Sequence, residues 1–229
     1  MALILLVRHG QASFGADDYD VLSDVGERQA RLVGERLRVL PRVDVVLHGA
    51  MTRQQRTAEL LVEGLGADVR RERDERWDEY DHEALLSGAM PTDADREAFA
   101  AEMAAAEDPR RAFQRAFERA TARWTAGAHD HDYHEPFPAF LERVHAAMAD
   151  LAAGLGRDDC AVVATSGGVI AAVCARLLGL DGPAWANLNR VIVNTSVTKL
   201  VHGRSGLTLL SVNDHAHLEG AHRDLLTYR

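Results

Sequence analysis

The chain has 229 residues, of which 47% are hydrophobic and 27% are charged, so it can bury a core of its own and is not intrinsically disordered. Its formal net charge of −9 argues against a nucleic-acid-binding surface, although a basic pocket can lie within an acidic protein. Two cysteines exclude a disulfide scaffold, and no segment has the roughly 20 apolar residues of a membrane span. We therefore expect a soluble, cytoplasmic protein with no nucleic-acid or membrane partner.

Short apolar runs alternate with amphipathic segments along the chain. The apolar runs are too short for helices and are typical of strands buried on both faces; they lie at residues 2–7, 43–47 and 160–165. Helical periodicity follows in a segment capped by Ser23 or Asp24 that ends before Pro41, and again at about residues 52–65, 138–153 and 169–178. Three further strands are predicted at residues 191–193, 197–202 and 207–212, the last two joined as a hairpin.

This alternation predicts an α/β fold, a three-layer α/β/α sandwich whose mostly parallel sheet has an antiparallel edge strand. Residues 83–127 interrupt the alternation, because they are alanine-rich and helical in period with a break near Pro109. We interpret the region of about 83–135 as a helical cap inserted over the sheet, within a single domain that spans residues 1–229. The cap is expected to roof the ligand site.

Three loops follow three of the buried strands, and they carry Arg8-His9-Gly10, Met51-Thr52-Arg53 and Ser166-Gly167-Gly168. In open α/β sheets, ligands bind outside the carboxyl ends of the strands. Two guanidinium groups, an imidazole and a helix N-terminus suit a phosphate dianion. The alternative is that Arg8 is a strand-end charge that only reaches water.

These residues resemble the histidine phosphatase superfamily, also called the phosphoglycerate mutase-like family. Residues 5–10 read L-L-V-R-H-G, as in its signature. The other similar segments, with the family patterns, are residues 22–30 (L-[ST]-x-x-G-x-x-Q-A), 51–58 (L-x-R-A-x-x-T-A), 77–80 (L-[ND]-E), 162–170 (V-V-x-H-G-G-V-I, with one change), 194–196 and 213–218. The resemblance covers nearly the whole chain except the helical insertion.

The resemblance implies that His9 is a nucleophile that takes a phosphoryl group on a ring nitrogen. A neutral imidazole is competent for this near neutral pH, since its ordinary pKa is about 6.5. Arg8 and Arg53 would hold the phosphoryl oxygens, and Glu79 would protonate the leaving oxygen and later activate water. Glu79 is preferred over nearby glutamates because its Trp-Asp-Glu frame fits the family segment. No metal or cofactor is implied, because the guanidinium groups supply the positive charge.

Three positions depart from the family pattern. Ser166 stands in place of a second histidine and carries no charge, although its hydroxyl can donate to phosphate, beside Gly167. Gly15 replaces an asparagine, and Ser13 is the candidate to supply the missing donor. Arg56 replaces the glutamine of Q-T-A, and we interpret it as a surface charge.

The remaining histidines have two interpretations. His215 or His217 could approach the phosphate and replace the missing imidazole; we include His217 among the candidate substrate-binding residues. The alternative is a strand-end histidine bonded to the backbone. His129, His131 and His134 fit no regular zinc spacing, so we predict a solvated loop and no metal site.

The leading hypothesis is a metal-independent phosphomonoesterase that works through phospho-His9 on a small phosphorylated metabolite. One alternative is a phosphoglycerate mutase-type phosphotransferase, which must exclude water from its phosphoenzyme. Another is a weakly active or non-catalytic phosphate-ligand-binding protein, because Ser166 removes a family histidine. The substrate and the oligomeric state stay open, with a homodimer among the alternatives.

Overall fold

The computed structural model describes residues 1–13 and 20–228. Within these ranges, six strands form one sheet: β1 (Ala2–Arg8), β2 (Val45–His48), β3 (Arg70–Arg73), β4 (Cys160–Thr165), β5 (Val197–Gly203) and β6 (Gly206–Asp214). The α-helices of the same ranges are α1 (Asp24–Leu37), α2 (Thr52–Leu65), α3 (His82–Ala89), α4 (Asp93–Ala105), α5 (Pro109–Thr125), α6 (Phe137–Gly154), α7 (Gly167–Leu178) and α8 (Gly182–Val191).

The sheet is mixed, with the strand order β3-β2-β4-β1-β5-β6. Strands β1 to β4 pair in parallel, and β5 pairs antiparallel with both β1 and β6. The predicted mostly parallel sheet with an antiparallel edge is confirmed. The edge is the β5–β6 hairpin, and the strand that opposes its neighbours is β5, one position in from the edge.

The predicted strand at residues 191–193 is wrong. Val191 ends α8, and Ile192 and Val193 are buried without joining the sheet. Side chains satisfy their backbone groups instead: Arg8 donates to the Ile192 carbonyl oxygen, and the Val193 N–H donates to Asn213 Oδ1 at 2.8 Å. The apolar run is therefore explained by packing in a loop rather than by a strand ladder.

Helices cover both faces of the sheet. Successive side chains of the central strand β1 point to opposite faces, and each set packs against different helices. Leu5 and Val7 lie in a core shared with residues of α1 and α2. Ile4 and Leu6 lie in a second, larger core shared with residues of α6 and α7. The predicted three-layer α/β/α arrangement follows from these two cores.

The insertion forms α3, α4 and α5, and the break near Pro109 is the start of α5, where proline is favoured because its missing N–H needs no partner. The insertion joins the second core through Trp124, whose ring centroid lies 5.0 Å from Tyr80, 4.9 Å from Phe137 and 5.8 Å from Trp185. The insertion and the sheet therefore share one core. None of the helices in residues 1–13 and 20–228 combines the length and apolar character needed to cross a membrane.

Helices α1 and α2 pack closely enough to need glycine at the contact. A Cβ added at Gly34 would lie 2.2 Å from the Leu61 carbonyl oxygen, and one added at Gly64 would lie 2.2 Å from that of Arg31. A glycine inside a helix ordinarily lowers stability by about 1 kcal/mol relative to alanine, so close packing explains its presence. This contact matters for function because α2 carries Arg53.

We expect Gly34→Ala to lower the free energy of unfolding by about 1–3 kcal/mol, since the added methyl group would overlap backbone atoms. Gly154→Ala is the matched control, because no atom lies within 4 Å of a Cβ at this last residue of α6. Gly154→Ala should leave the free energy of unfolding unchanged or raise it by up to about 1 kcal/mol. Urea unfolding measures both, and equal stability of the two variants would contradict the packing argument.

Candidate active site

The three predicted loops meet at one edge of the sheet. They follow β1, β2 and β4, which are neighbours in the order β2-β4-β1. The register aligns their carboxyl ends, because Arg8 pairs with Thr165 and His48 pairs with Ala164. Since parallel strands end at the same edge, His9 and Arg53 are brought within hydrogen-bonding distance although 44 residues separate them.

His9 is buried, with 6% of its surface exposed, and both ring nitrogens have defined neighbours. Nδ1 lies 2.7 Å from the Gly10 carbonyl oxygen, which can only accept, so Nδ1 carries the proton and Nε2 carries the lone pair. Arg53 Nε donates to Nε2 at 3.3 Å. Burial, followed by the charges of Arg53 and Arg8, holds the pKa of His9 well below its usual value. The ring is therefore neutral at pH 7, with Nε2 as a nucleophilic nitrogen.

Backbone hydrogen bonds fix the loop that carries His9. The His9 N–H donates to the Thr165 carbonyl oxygen at 2.7 Å, and Asn194 Nδ2 donates to the His9 carbonyl oxygen at 3.0 Å. The Gly10 N–H donates to Thr57 Oγ1 at 3.0 Å. Thr57 and Asn194 are thus supporting residues that the sequence reasoning did not identify, although both lie in segments that resemble the family patterns.

Arg8 lies beside the N-terminus of α7. Its Nη1 donates to the carbonyl oxygens of Ile192 and Tyr228, the latter at 2.8 Å. A Cβ added at Gly167 would lie 3.7 Å from Arg8 Nε, so the predicted residue Gly167 adjoins this guanidinium. Arg8 is therefore held at the predicted edge rather than extended freely into water.

Arg53 is buried and forms an ion pair that sequence reasoning missed. Its Nη1 lies 2.6 Å from Asp20 Oδ1, and Asp20 Oδ2 accepts from the Thr52 N–H at the start of α2 at 2.7 Å. The Asp20 carboxylate thus binds a guanidinium group and a backbone N–H at a helix start, and both are kinds of donor that also bind phosphate. No local pattern around Asp20 indicates this role, since its partners lie 32 and 33 residues away.

Glu79 is held at the first turn of α7, where its Oε2 accepts from the Gly168 N–H at 3.0 Å. Burial raises its pKa, against the opposing effects of the Gly168 hydrogen bond and of the charges on Arg53 and Arg8. A Cβ at position 168 would lie 2.3 Å from Glu79 Oε1, so a side chain there would displace the Glu79 carboxyl group. Asp78, the residue before Glu79, is also held in place, because its Oδ1 accepts from the Ala50 N–H at 2.5 Å.

Ser166 lies behind these residues. It is fully buried, and its Oγ accepts from Gln54 Nε2 at 2.8 Å. With zero exposure, the hydroxyl has no face open to a ligand, so the expected phosphate contact of its side chain would require movement of Gln54. Gln54 itself was missed, although its position departs from the alanine of the L-x-R-A pattern.

The other candidates lie apart from the His9–Arg53 contact. The Ser13 N–H donates to the Val21 carbonyl oxygen at 2.8 Å, and its role toward phosphate stays a prediction. Gly15 lies outside the described residues. Arg56 pairs with Glu27 at 3.0 Å on the surface, as expected.

His217 lies beside Thr195, whose N–H donates to the Arg8 carbonyl oxygen at 3.0 Å. Its Nε2 lies 3.1 Å from Thr195 Oγ1, and burial, followed by the charge of Arg36, lowers its pKa to about 4. Its contact with substrate stays a prediction. His215 Nδ1 lies 2.7 Å from the Asn213 carbonyl oxygen, as in the backbone-bonded alternative. Across residues 1–13 and 20–228, no group of three or more histidine, cysteine or acidic side chains could hold a metal ion.

The arrangement combines a neutral imidazole whose Nε2 lone pair accepts from Arg53, a second guanidinium group on Arg8 and a carboxyl group with a raised pKa. The imidazole can attack an electrophile, and the guanidinium groups can stabilise charge on its oxygens. The carboxyl group can give and take a proton. Together these residues have the chemistry required to transfer a phosphoryl group.

Comparisons with known proteins agree with the site. A model of the histidine phosphatase superfamily (branch 1) matches residues 4–215. A 2,3-bisphosphoglycerate-dependent phosphoglycerate mutase from Methylobacterium sp. (strain 4-46) is 40% identical over 101 residues, covering 40% of this chain and 48% of the mutase. The matched region is thus about half the length of that relative.

Solved structures share the fold along nearly the whole chain. Bacillus stearothermophilus YhfR has a TM-score of 0.66 at 18% identity and covers 96% of this chain and 100% of its own. A mycobacterial glucosyl-3-phosphoglycerate phosphatase, solved with VO3, has a TM-score of 0.61 at 24% identity and covers 93% and 99%. At these identities the likeness concerns the fold alone. The family match over residues 4–215 carries the further conclusion that this chain belongs to the histidine phosphatase superfamily.

Proposed function

We propose that this protein is a metal-independent phosphomonoesterase that acts through a phosphohistidine intermediate on His9. The observation that carries the proposal is the His9 ring itself: Nδ1–H is tied to the Gly10 carbonyl oxygen, and Nε2 faces Arg53. The substrate is a small phosphorylated metabolite. A cytoplasmic location, without nucleic-acid or membrane partners, is part of this proposal and rests on the two cysteines, the net charge of −9 and the short apolar segments of the sequence.

In the first step, the Nε2 lone pair of His9 attacks phosphorus, and the ester P–O bond breaks. Glu79 gives its proton to the leaving oxygen, since burial favours the protonated carboxyl group. Arg8 and Arg53 stabilise the negative charge on the phosphoryl oxygens. The products of this step are the free alcohol and phospho-His9.

In the second step, water attacks the phosphorus of phospho-His9. The Glu79 carboxylate takes a proton from that water, and the P–N bond breaks. Phosphate leaves, and both His9 and Glu79 return to their starting protonation states. The two guanidinium groups supply the positive charge in both steps, so no metal ion is required.

Two alternatives are less well supported. A mutase must retain its phosphoenzyme and also bind a second anionic group of the substrate. Ser166, which stands in place of the family's second histidine, supplies no positive charge for such a group. A non-catalytic phosphate-binding protein would need neither a neutral His9 nor a carboxyl group with a raised pKa at Glu79, so both pKa shifts support an enzyme.

The His9→Ala variant should keep its fold and lose all turnover of phosphomonoesters. His48→Ala is the matched control, because His48 is the last residue of β2 and its Nδ1 also lies 2.7 Å from the next glycine carbonyl oxygen. Rapid quenching of wild type with radiolabelled substrate should give acid-labile protein label, which His9→Ala lacks and His48→Ala retains. Acid-stable label on Ser166, or activity that a chelator removes and a divalent ion restores, would refute the mechanism.

Glu79→Gln should lower kcat/KM for an alkyl phosphate by about 10²–10⁴-fold, as expected for loss of a general acid. In wild type, activity should rise with pH through the lowered pKa of His9, which must be neutral to attack. It should fall with pH through the raised pKa of Glu79, which must be protonated to donate. Glu79→Gln should lose the second limb and keep the first.

Glu83→Gln, at an exposed neighbouring glutamate, controls for the general effect of removing a charge. Because the substrate phosphate ionises equally in every reaction, the difference between the profiles isolates Glu79. An unchanged high-pH limb in Glu79→Gln would show that another group donates the proton.

Asp20→Asn should strengthen competitive inhibition by inorganic phosphate by about fivefold, because it removes a carboxylate that competes for Arg53. Asp24→Asn, an exposed acidic residue of the first turn of α1, is the control and should leave the inhibition constant unchanged. Weaker inhibition in Asp20→Asn would mean that Asp20 orients Arg53 and does not compete with phosphate.

A further inference from the structure

Gln54 joins three parts of the candidate active site through one side-chain amide. It follows Arg53 in α2 and is fully buried. Its Nε2 donates to the Trp77 carbonyl oxygen at 3.1 Å and to Ser166 Oγ at 2.8 Å. The mechanism above gives it no role.

Both acceptors belong to segments that hold Glu79. Trp77 precedes Glu79 by two residues in the chain, and Ser166 precedes by two residues the Gly168 whose N–H binds Glu79 Oε2. One amide of α2 therefore ties together the segment that carries the carboxyl group and the helix start that orients it. Gln54 shares the Trp77 carbonyl oxygen with the Thr165 hydroxyl, which donates to it at 2.6 Å.

The orientation of the amide is determined, because the Trp77 carbonyl oxygen can only accept a hydrogen bond. Gln54 Oε1 then accepts no hydrogen bond from the described residues, although it is buried. It lies against Gly49, where an added Cβ would approach it to 1.9 Å.

We propose that Gln54 is a positioning residue, whose paired hydrogen bonds to Trp77 and Ser166 place the Glu79 carboxyl group for proton transfer to the leaving oxygen. This proposal rests on the proposed function, in which Glu79 is the proton donor. In the family pattern, alanine and histidine stand at the positions of Gln54 and Ser166. In this chain both residues differ from the pattern, and they form a neutral hydrogen bond with each other.

The proposal predicts which reaction step depends on Gln54. Phosphate is held by Arg8 and Arg53, which do not bond to the Gln54 amide in the contacts described above. Protonation of the leaving oxygen depends on Glu79, and an alkyl alcohol leaves poorly without it. A nitrophenolate leaves without a proton. Loss of Gln54 should therefore affect alkyl esters selectively.

The test compares Gln54→Met with Gln55→Met, a matched control at an exposed glutamine of the same helix. Methionine has a similar volume and no donor, and the Trp77 carbonyl oxygen keeps the Thr165 hydroxyl as a donor at 2.6 Å. For Gln54→Met, kcat/KM for an alkyl phosphate should fall by about 10–100-fold, and for nitrophenyl phosphate by less than about 3-fold. The inhibition constant of phosphate should stay unchanged and the urea midpoint should not fall, and Gln55→Met should match wild type throughout.

Glu79→Gln, measured on the same two esters, separates the two proposals. Selective loss of the alkyl ester in Glu79→Gln but not in Gln54→Met would overturn the role of Gln54 alone. Equal loss of both esters in Glu79→Gln would overturn the proton-donor assignment and this proposal with it. Equal loss in Gln54→Met, with a lower urea midpoint, would mean a structural role and would also overturn the proposal.

A second variant covers the case in which Gln54→Met does not fold. Ser166→Ala removes one of the two acceptors and keeps the amide bonded to Trp77. It should show the same selective loss for the alkyl ester, smaller than in Gln54→Met. Wild-type values for both esters in Ser166→Ala would overturn the paired arrangement.

Discussion

The hydrogen bond from His9 Nδ1–H to the Gly10 carbonyl oxygen determines the chemistry of the whole site. It assigns the proton to one ring nitrogen and leaves the lone pair on Nε2, in the direction of Arg53. The bond is local, but its direction depends on distant residues. Thr57 holds the Gly10 N–H, and Asn194 holds the His9 carbonyl oxygen, so α2 and the segment before β5 together fix the turn.

Burial acts on the two titrating groups of the site in opposite directions. It disfavours the charged form of each, so it lowers the pKa of the His9 imidazole and raises that of the Glu79 carboxyl group. Ester cleavage needs a nucleophile whose attacking nitrogen, Nε2, carries no proton, and an acid that carries one. Arg8 and Arg53 act on both groups and favour the neutral imidazole, but they oppose protonation of Glu79. Burial exceeds their effect at Glu79, and it also exceeds that of the Gly168 N–H at the start of α7, which favours the ionised carboxylate.

The sequence predicted those features that short segments determine. The buried strands, the alternation with helices and the loop positions of His9 and Arg53 follow from local hydrophobic patterns and from strand topology. Val193 was wrongly predicted to lie in a strand. An apolar run indicates that a segment is buried, but it does not show which groups bind the backbone N–H and C=O groups of that segment. Asp20 and Gln54 were missed, because their roles arise from contacts between segments distant in the chain, and a single sequence does not reveal such contacts. Ser166 was identified as a departure, but its contact with Gln54 required the structure.

His48 shows why the local turn alone is insufficient for function. Like His9, it is buried and lies at the carboxyl end of a parallel strand, and its Nδ1 lies 2.7 Å from the carbonyl oxygen of the next glycine. The tautomer of His48 is therefore fixed in the same way as that of His9. The difference lies in the surroundings: the Nε2 of His9 accepts from Arg53, and both Arg53 and Arg8 act on its charge. A nucleophilic histidine in this fold thus requires the turn and also the guanidinium groups that the neighbouring strand end and helix supply, and only the loop after β1 combines them in the part of the chain described.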